Sequence, residues 1–236
     1  MAASSALTND RAPDGAAAEQ VVNHVRGLIE RGALRPGDRL ASERDLAQHV
    51  GVSRTSVRSG LRSLAAMGVV QARRGAGTFI TAGPPTLVSE PLRLVASLHG
   101  LDLSGLWEVR RVLEAGSASL AAERATADQI ATLSDEVTGM YSALHDPQTF
   151  LDYDLRFHRA VAAAANNPML GAIIEAVAAL FFEQRRMTIE RARNLRESAD
   201  MHRKIYQCIR ARDAEGARQA MEEHVRLAQI AKATEE

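Results

Sequence analysis

The sequence predicts a mostly α protein in two parts: a small N-terminal domain of three helices with a β wing, and an all-α antiparallel bundle of about seven helices. Three observations lead there. Apolar residues recur at helical spacing through most of the chain. One short stretch, VVQARRGAGTFI, alternates instead like two strands around a glycine-containing turn. Between them and the rest, TAGPPTLVSEP at residues 81–91 breaks all periodicity with three prolines and a glycine.

At 236 residues, with 46% hydrophobic and 25% charged side chains, the composition is that of an ordinary globular protein. The single cysteine, Cys208, excludes an intrachain disulfide and suits a reducing, cytoplasmic setting. No apolar run approaches the roughly 20 residues of a membrane span. MAASSALTNDRAPDGAAA lacks a basic start followed by an apolar core, so residues 1–16 read as a disordered tail rather than a secretion signal.

The N-terminal elements follow in order. Residues 17–31 form a helix with Val21, Val25, Leu28 and Ile29 as its buried side, ended by Pro36 and Gly37 in ALRPGDRL. Ser42 opens a second short helix, ASERDLAQHV, with Asp45 at capping-box spacing. Gly51 supplies the left-handed residue of a tight turn. Ser53 then caps SRTSVRSGLRSLAAMG, whose Val57, Leu61 and Leu64 face inward. Two short helices joined by a glycine turn make a helix-turn-helix, and the alternating stretch after it, with Arg73 and Arg74 at its turn, makes a basic wing.

Charge supports a nucleic-acid role for this part. Acidic and basic residues balance at 29 each over the chain. Between Gln20 and Ile80, however, ten arginines face four acids, leaving +6 there and −6 elsewhere. A compact basic segment joined to an acidic remainder is the footprint of a nucleic-acid reader coupled to a second function. The second helix of such a motif meets base edges in the major groove, where arginine bonds guanine in bidentate fashion and small hydroxyls suit phosphate. The domains are thus 17–81 for DNA binding, 82–90 as linker and 91–232 for the helical part.

In the rear part, helices are expected at 90–98, 103–123, 127–144, 147–165, 168–192, 197–211 and 213–231. Their apolar stripes include Leu106, Val109 and Leu113; Ile130, Leu133, Val137, Met140 and Leu144; and Ile173, Ile174, Val177, Leu180 and Phe181. Burying so many stripes calls for an antiparallel bundle. Polar residues interrupt three of them. In LDYDLRFHRAVAAAA, Asp154 and His158 lie four apart on the apolar face of Leu151, Leu155 and Val161. His202 shares a face with Ile205 and Ile209, and His224 with Ala217 and Met221. Buried polar groups need partners, and one divalent cation satisfies all four. Three imidazoles and a carboxylate suit zinc, with nickel or manganese as alternatives. Mutual hydrogen bonding without a metal is the competing account. Trp107 reads as packing, Asn167 as a helix cap and Cys208 as a core filler.

LASERDLAQHVGVSRTSVRSGLRSLAAMGVVQARRGAGTFI resembles the winged helix-turn-helix of the GntR family of bacterial transcription regulators, in its SER box, its GVSRTSVR turn and helix, and its GAGTFI wing. That resemblance implies operator contacts by Arg44, Arg54, Arg58, Arg74 and Gly75, with Ser53, Thr55 and Ser56 near phosphates. The sequence departs from the family in Ala41, usually proline, and in Ser59-Gly60, usually Glu-Ala. FHRAV, NNPML and MHRKIYQCIRARDAEGARQAMEEHV resemble the C-terminal ligand-binding (FCD) domain of the FadR subfamily, in its seven-helix version. In its metal-binding members the ligands match Asp154, His158, His202 and His224. LWEVRRVLEAGSASLAAERA resembles the helix of that domain bearing an Arg-x-x-x-Glu element. The resemblance implies a homodimeric regulator, most often a repressor, responding to a small carboxylate metabolite. Arg110 is the candidate effector counter-charge, beside its plainer reading as an ion-pair residue. A metal-dependent hydrolase tethered to DNA is the alternative function, though HExxH, phosphate-loop and Gly-x-Ser-x-Gly motifs are all missing from the sequence.

Overall fold

The structure is a computed structural model that describes residues 14–83, 87, 89–100, 103–191 and 194–233. Contacts divide the chain into two units, Met1–Gly83 and Pro84–Glu236. Most of the expected tail lies outside the described residues.

The first unit contains α1 (Asp14–Glu30), α2 (Glu43–Val50), α3 (Arg54–Ala66), β1 (Val70–Arg73) and β2 (Gly77–Ile80). Helix α1 starts at Asp14, three residues before the expected 17. The turn between α2 and α3 forms as its residues dictate. Gly51, at φ 77°, sends its N–H to the Ala47 carbonyl, and Ser53 Oγ accepts from Ser56 N at 3.0 Å. Ser42 Oγ accepts from Asp45 N at the start of α2. The hairpin pairs Val70 with Ile80 and Arg73 with Gly77, and Arg39 adds an isolated bridge to Phe79. Two small apolar clusters hold the unit: Val25, Leu40, Leu64, Val70 and Ile80, and Val21, Leu46 and Val57. Ile29, expected inside, is 36% exposed, because α1 ends as its apolar stripe leaves the core.

Gly60 has a structural reason. Helix α3 crosses α1 so closely that a Cβ at Gly60 would lie 2.7 Å from Val21 Cβ and 2.8 Å from the Ala18 carbonyl oxygen. Contacts that short force backbone to move.

The second unit contains α4 (Glu90–Leu98), α5 (Leu103–Arg124), α6 (Ala127–Ser142), α7 (Pro147–Ala164), α8 (Pro168–Arg191), α9 (Leu195–Arg210) and α10 (Ala214–Ala233). Helix α5 is central and packs against α7, α8, α9 and α10. It runs antiparallel to α10: Arg111 bonds Glu222, while Arg212, just before α10, donates to the Ala122 and Ala125 carbonyls at the end of α5. Asn166, in the left-handed region at φ 49°, donates to the neighbouring Arg124 carbonyl. Those two side chains satisfy carbonyls that a helix end otherwise leaves orphaned. Phe150, Phe157, Phe181, Leu133, Met140, Ile205, Ile209 and Met221 fill the core. Helix α9 starts at Leu195, two residues before expected, capped by Asn194, whose Oδ1 accepts from Arg196 N. Asn167 caps α8 by accepting from Leu170 N. Among the described residues, no helix is long and apolar enough to cross a membrane.

The expected face of α5 is a correction. Val109 is 42% exposed, and Leu106 and Leu113 are only half-buried. The buried stripe is instead Trp107, Arg110, Glu114, Ser117, Ala118 and Ala121. Trp107 sets this rotation, with its ring edge-on to Phe181 at 5.1 Å, and two charged side chains come inward with it.

Helix propensity alone favours Gly60→Ala by about 1 kcal/mol. Overpacking of this kind costs about 1–3 kcal/mol, so the substitution is expected to lower the urea midpoint of the N-terminal transition. A raised midpoint would show that the close α1–α3 approach is wrong.

Candidate metal centre and nucleic-acid interface

Helices α7, α9 and α10 bring Asp154, His158, His202 and His224 together, all buried, with ligand atoms within 4.8 Å of one another. His158 Nε2 lies 3.3 Å from both His202 Nε2 and His224 Nε2. Asp154 Oδ1 is 3.1 Å from His202 Nε2 and 3.8 Å from His158 Nε2. Atoms that share one zinc-sized ion at about 2.0–2.2 Å stand roughly 3–4 Å apart, so these separations fit, and the widest needs a small side-chain adjustment.

Proton placement makes the case sharper. His202 Nδ1 lies 2.7 Å from the Ser198 carbonyl, which can only accept. His158 Nδ1 lies 2.7 Å from Glu114 Oε2, an oblique contact, which also places the ring proton on Nδ1. Each ring therefore presents a bare Nε2 lone pair to the other and to a carboxylate oxygen. Burial, opposed by Glu114, brings the His158 pKa down to about 4, so a second proton does not relieve the conflict at neutral pH. Burial and the two neighbouring rings likewise push His224 well below the usual imidazole range. Where His158 Nε2, His202 Nε2 and Asp154 Oδ1 converge, three acceptors face one another, an arrangement that a cation would stabilise. The outward Nδ1 contacts, to a carboxylate and a carbonyl, are those that orient metal-binding imidazoles.

Around this point stands a charged shell that sequence reasoning missed. Arg185 Nη1 lies 2.9 Å from Asp154 Oδ2, and its Nη2 lies 3.6 Å from Glu114 Oε1. Arg110 Nε donates to Glu114 Oε1 at 2.8 Å, with its guanidinium 5.2 Å from the Trp107 ring centre. All four charged groups are nearly inaccessible, Arg110 at 4% and Arg185 at 7%. Burial raises the Asp154 and Glu114 pKa values, but the adjoining guanidiniums, Arg185 beside Asp154 and Arg110 beside Glu114, hold both well below the ordinary carboxylate range. Glu114 was within reach, as the partner residue of the Arg-x-x-x-Glu element. Arg185 carried no signal, because FFEQRRMT reads as the charged end of a helix.

A cavity of about 330 Å³ opens beside the cluster, lined by His158, Glu114, Arg185, Leu155, Ile174 and Phe182 among others. Among the described residues, Arg185 lines this cavity and Arg110 does not; the Arg110 contact with Glu114 is that of the ion-pair residue, its plainer reading.

In the first unit, Arg44, Arg54, Thr55 and Arg58 are exposed on α2 and α3, and Arg74 and Gly75 at the wing turn, Gly75 at φ 74°. Arg73 turns back over the Phe79 ring at 4.4 Å, which leaves Arg74 as the wing's outward cation. Ser56 is a correction. It is 3% exposed, with its hydroxyl 2.8 Å from Ser53 Oγ, so the phosphate contact expected of it is withdrawn.

Residues 17–80 match the family described as bacterial regulatory proteins, gntR family, and residues 105–227 match the FCD domain. The chain is 33% identical to the HTH-type transcriptional regulator LutR of Bacillus subtilis, covering 84% of this chain and 93% of that one. It is 29% identical to the galactonate operon transcriptional repressor of Escherichia coli, over 86% and 90%. Among solved structures, Streptococcus agalactiae GntR is similar with a TM-score of 0.69 and 27% identity, over 92% of this chain and 99% of that one.

Replacing Glu114 by Gln removes the negative charge beside His158 Nδ1 and turns one of its acceptor oxygens into a donor. Zinc affinity, read by competition with a chromophoric chelator, is expected to fall about 10–100-fold; an unchanged affinity would remove Glu114 from the site. In chelator-treated protein, the unfolded chain takes up the His158 proton near pH 6.5, whereas the folded chain refuses it down to about 4. Stability is therefore expected to decline as pH falls across that window, by roughly 3 kcal/mol in all. A flat stability profile between those pH values would contradict the buried neutral ring.

Proposed function

The chain belongs to the gntR family of bacterial regulatory proteins, and from that membership we propose that it is a repressor released or retained on its operator by a small carboxylate. It is a DNA-binding transcriptional regulator with an FCD domain. The finer reading has four parts: a divalent cation, zinc foremost, held by Asp154, His158, His202 and His224; a carboxylate effector beside it; a homodimer on paired half-sites; and action in the cytoplasm, where the chromosome is.

Charge balance carries the effector reading. The buried cluster holds two carboxylates, Asp154 and Glu114, and two guanidiniums, Arg110 and Arg185. It is neutral with its imidazoles unprotonated. A divalent cation supplies two uncompensated positive charges and coordination positions that an oxygen donor can occupy. An anion in the adjoining cavity restores the balance. Arg185 faces that cavity and suits a carboxylate through its planar fork, while Leu155, Ile174 and Phe182 shape the apolar side. The galactonate operon repressor is named for an operon handling a hydroxycarboxylate, in keeping with that ligand class. Repression follows the same relative's name.

On the DNA side, Arg54 and Arg58 in the first turns of α3, Arg44 on α2, and Arg74 with Gly75 on the wing are the proposed operator contacts, with Ser53 and Thr55 near phosphate. Half-sites then lie about one DNA turn apart. The hydrolase alternative gains no support: the matching families and relatives are regulators. The carboxylates lining the cavity, Glu114 and Glu175, are both bound by arginines, so neither is a free general base.

The test joins metal analysis to ligand binding. Protein purified without chelator or nickel resin is expected to hold about one divalent ion per chain. A panel of small mono-, di- and hydroxycarboxylates is expected to include members that raise its melting temperature and shift its DNA affinity, an effect lost in His202→Ala and Arg185→Gln. Absence of stoichiometric metal, or a panel without effect on the loaded protein, would end the sensor reading and leave the DNA-binding one.

A further inference from the structure

The DNA-reading face sets a carboxylate between two of its arginines. Glu43, the first residue of α2, places Oε2 2.8 Å from Arg58 Nε and 3.8 Å from Arg54 Nη2. Its side chain is 35% exposed, beside arginines that are 57% and 61% exposed. A negative charge among cations that meet phosphate weakens binding to every duplex alike. Surface ion pairs contribute little to stability, so folding is a poor reason for it.

Geometry supplies a better reason. The bond to Nε fixes the plane of the Arg58 guanidinium and occupies the donor nearest the backbone. Both terminal nitrogens stay available for the O6 and N7 of one guanine. The same carboxylate lies near Arg54, so one residue sets the relative placement of two base-reading side chains. Glu43 and Arg58 also border an open groove of about 400 Å³ between α3 and the hairpin, with Arg62, Val70 and Thr78. Arg58 therefore stands beside a recess, with the Glu43 carboxylate holding its Nε.

We propose that Glu43 is a specificity-determining positioning residue: it aims Arg58, and with it Arg54, at base edges while lowering affinity for DNA in general. The inference rests on the proposed operator contacts of those two arginines. A merely structural Glu43 and a positioning Glu43 differ in what happens to random DNA. Loss of a prop weakens all binding. Loss of an aiming carboxylate weakens binding to the preferred sequence and strengthens binding to any other.

The experiment uses the full chain and a duplex enriched by the wild-type protein from a random pool, with a scrambled duplex beside it. Affinities are read by fluorescence anisotropy over a series of salt concentrations. For Glu43→Ala and Glu43→Gln, the ratio of preferred to scrambled affinity is expected to fall about tenfold. Scrambled-duplex affinity is expected to rise, with a steeper salt dependence because one opposing charge is gone. Circular dichroism verifies folding, and the isosteric glutamine variant stands in should the alanine variant fail to fold. A fall in both affinities together, or an unchanged ratio, overturns the proposal. Arg58→Ala separates the two levels. If it loses discrimination while the Glu43 variants keep it, only the positioning role is wrong. If Arg58→Ala keeps full discrimination, the operator contact fails and the role of Glu43 with it.

Discussion

The second unit is organised around the burial of charge. Asp154, Glu114, Arg110 and Arg185 are each nearly sealed from water, and an isolated ion in that environment is strongly disfavoured. They coexist because each carboxylate has an arginine beside it: Glu114 Oε1 meets Arg110 and Asp154 Oδ2 meets Arg185, while Glu114 Oε2 lies against the neutral His158 ring. Removing any member leaves another uncompensated, which costs more than the pair contributes in place. The exception is the inner point, where Nε2 of His158 and His202 and Oδ1 of Asp154 converge with no donor among them. A shell of opposite charges around a centre of acceptors distinguishes this cluster from an ordinary buried ion pair.

This constraint reaches back to the fold. Helix α5 leaves two valines, Val109 and Val112, 42% and 68% exposed. The helix is turned so that Arg110 and Glu114 enter instead, with Trp107 against Phe181. The small residues Ser117, Ala118, Ala121 and Ala122 further along the same face let α10 and α7 approach closely. A weakly amphipathic, alanine-rich helix at the centre of a bundle is thus the consequence of serving four neighbours.

Periodicity revealed elements better than faces. Helix positions, the α2–α3 turn, the hairpin and the Asp154–His158–His202–His224 set were legible because each rests on local chemistry: Gly51 in a turn, Ser53 at a cap, polar residues breaking an apolar stripe. The face of α5 was illegible because a stripe rule ranks Leu106, Val109 and Leu113 above an arginine and a glutamate. Arg185 was hidden for the same reason: its partner Asp154 is 31 positions away, and sequence does not display that pairing. Ser56 was misplaced within its helix, since caps and phosphate ligands use the same hydroxyl residues. Gly60 looked like a loss of helix propensity and is a packing requirement, visible only once Ala18 and Val21 stand beside it.

The two sites handle carboxylates under opposite dielectric conditions, and this bounds what each can do. Glu43 is half-solvated, so its pull on Arg58 is weak and screened by salt, enough to orient a side chain and too little to hold a fold together. Asp154 and Glu114 are buried, where a change of one charge is felt strongly and across the whole cluster. A carboxylate arriving beside an ion there alters the electrostatics of α5, α7, α8, α9 and α10 together, since each contributes a member of the cluster. The proposed regulation needs only that such an anion bind the DNA-competent and DNA-free forms unequally. Coupling of that kind is typically about 1–3 kcal/mol, or roughly 5–150-fold in affinity. Under that proposal, linkage requires operator DNA to change the affinity for the anion by the same factor.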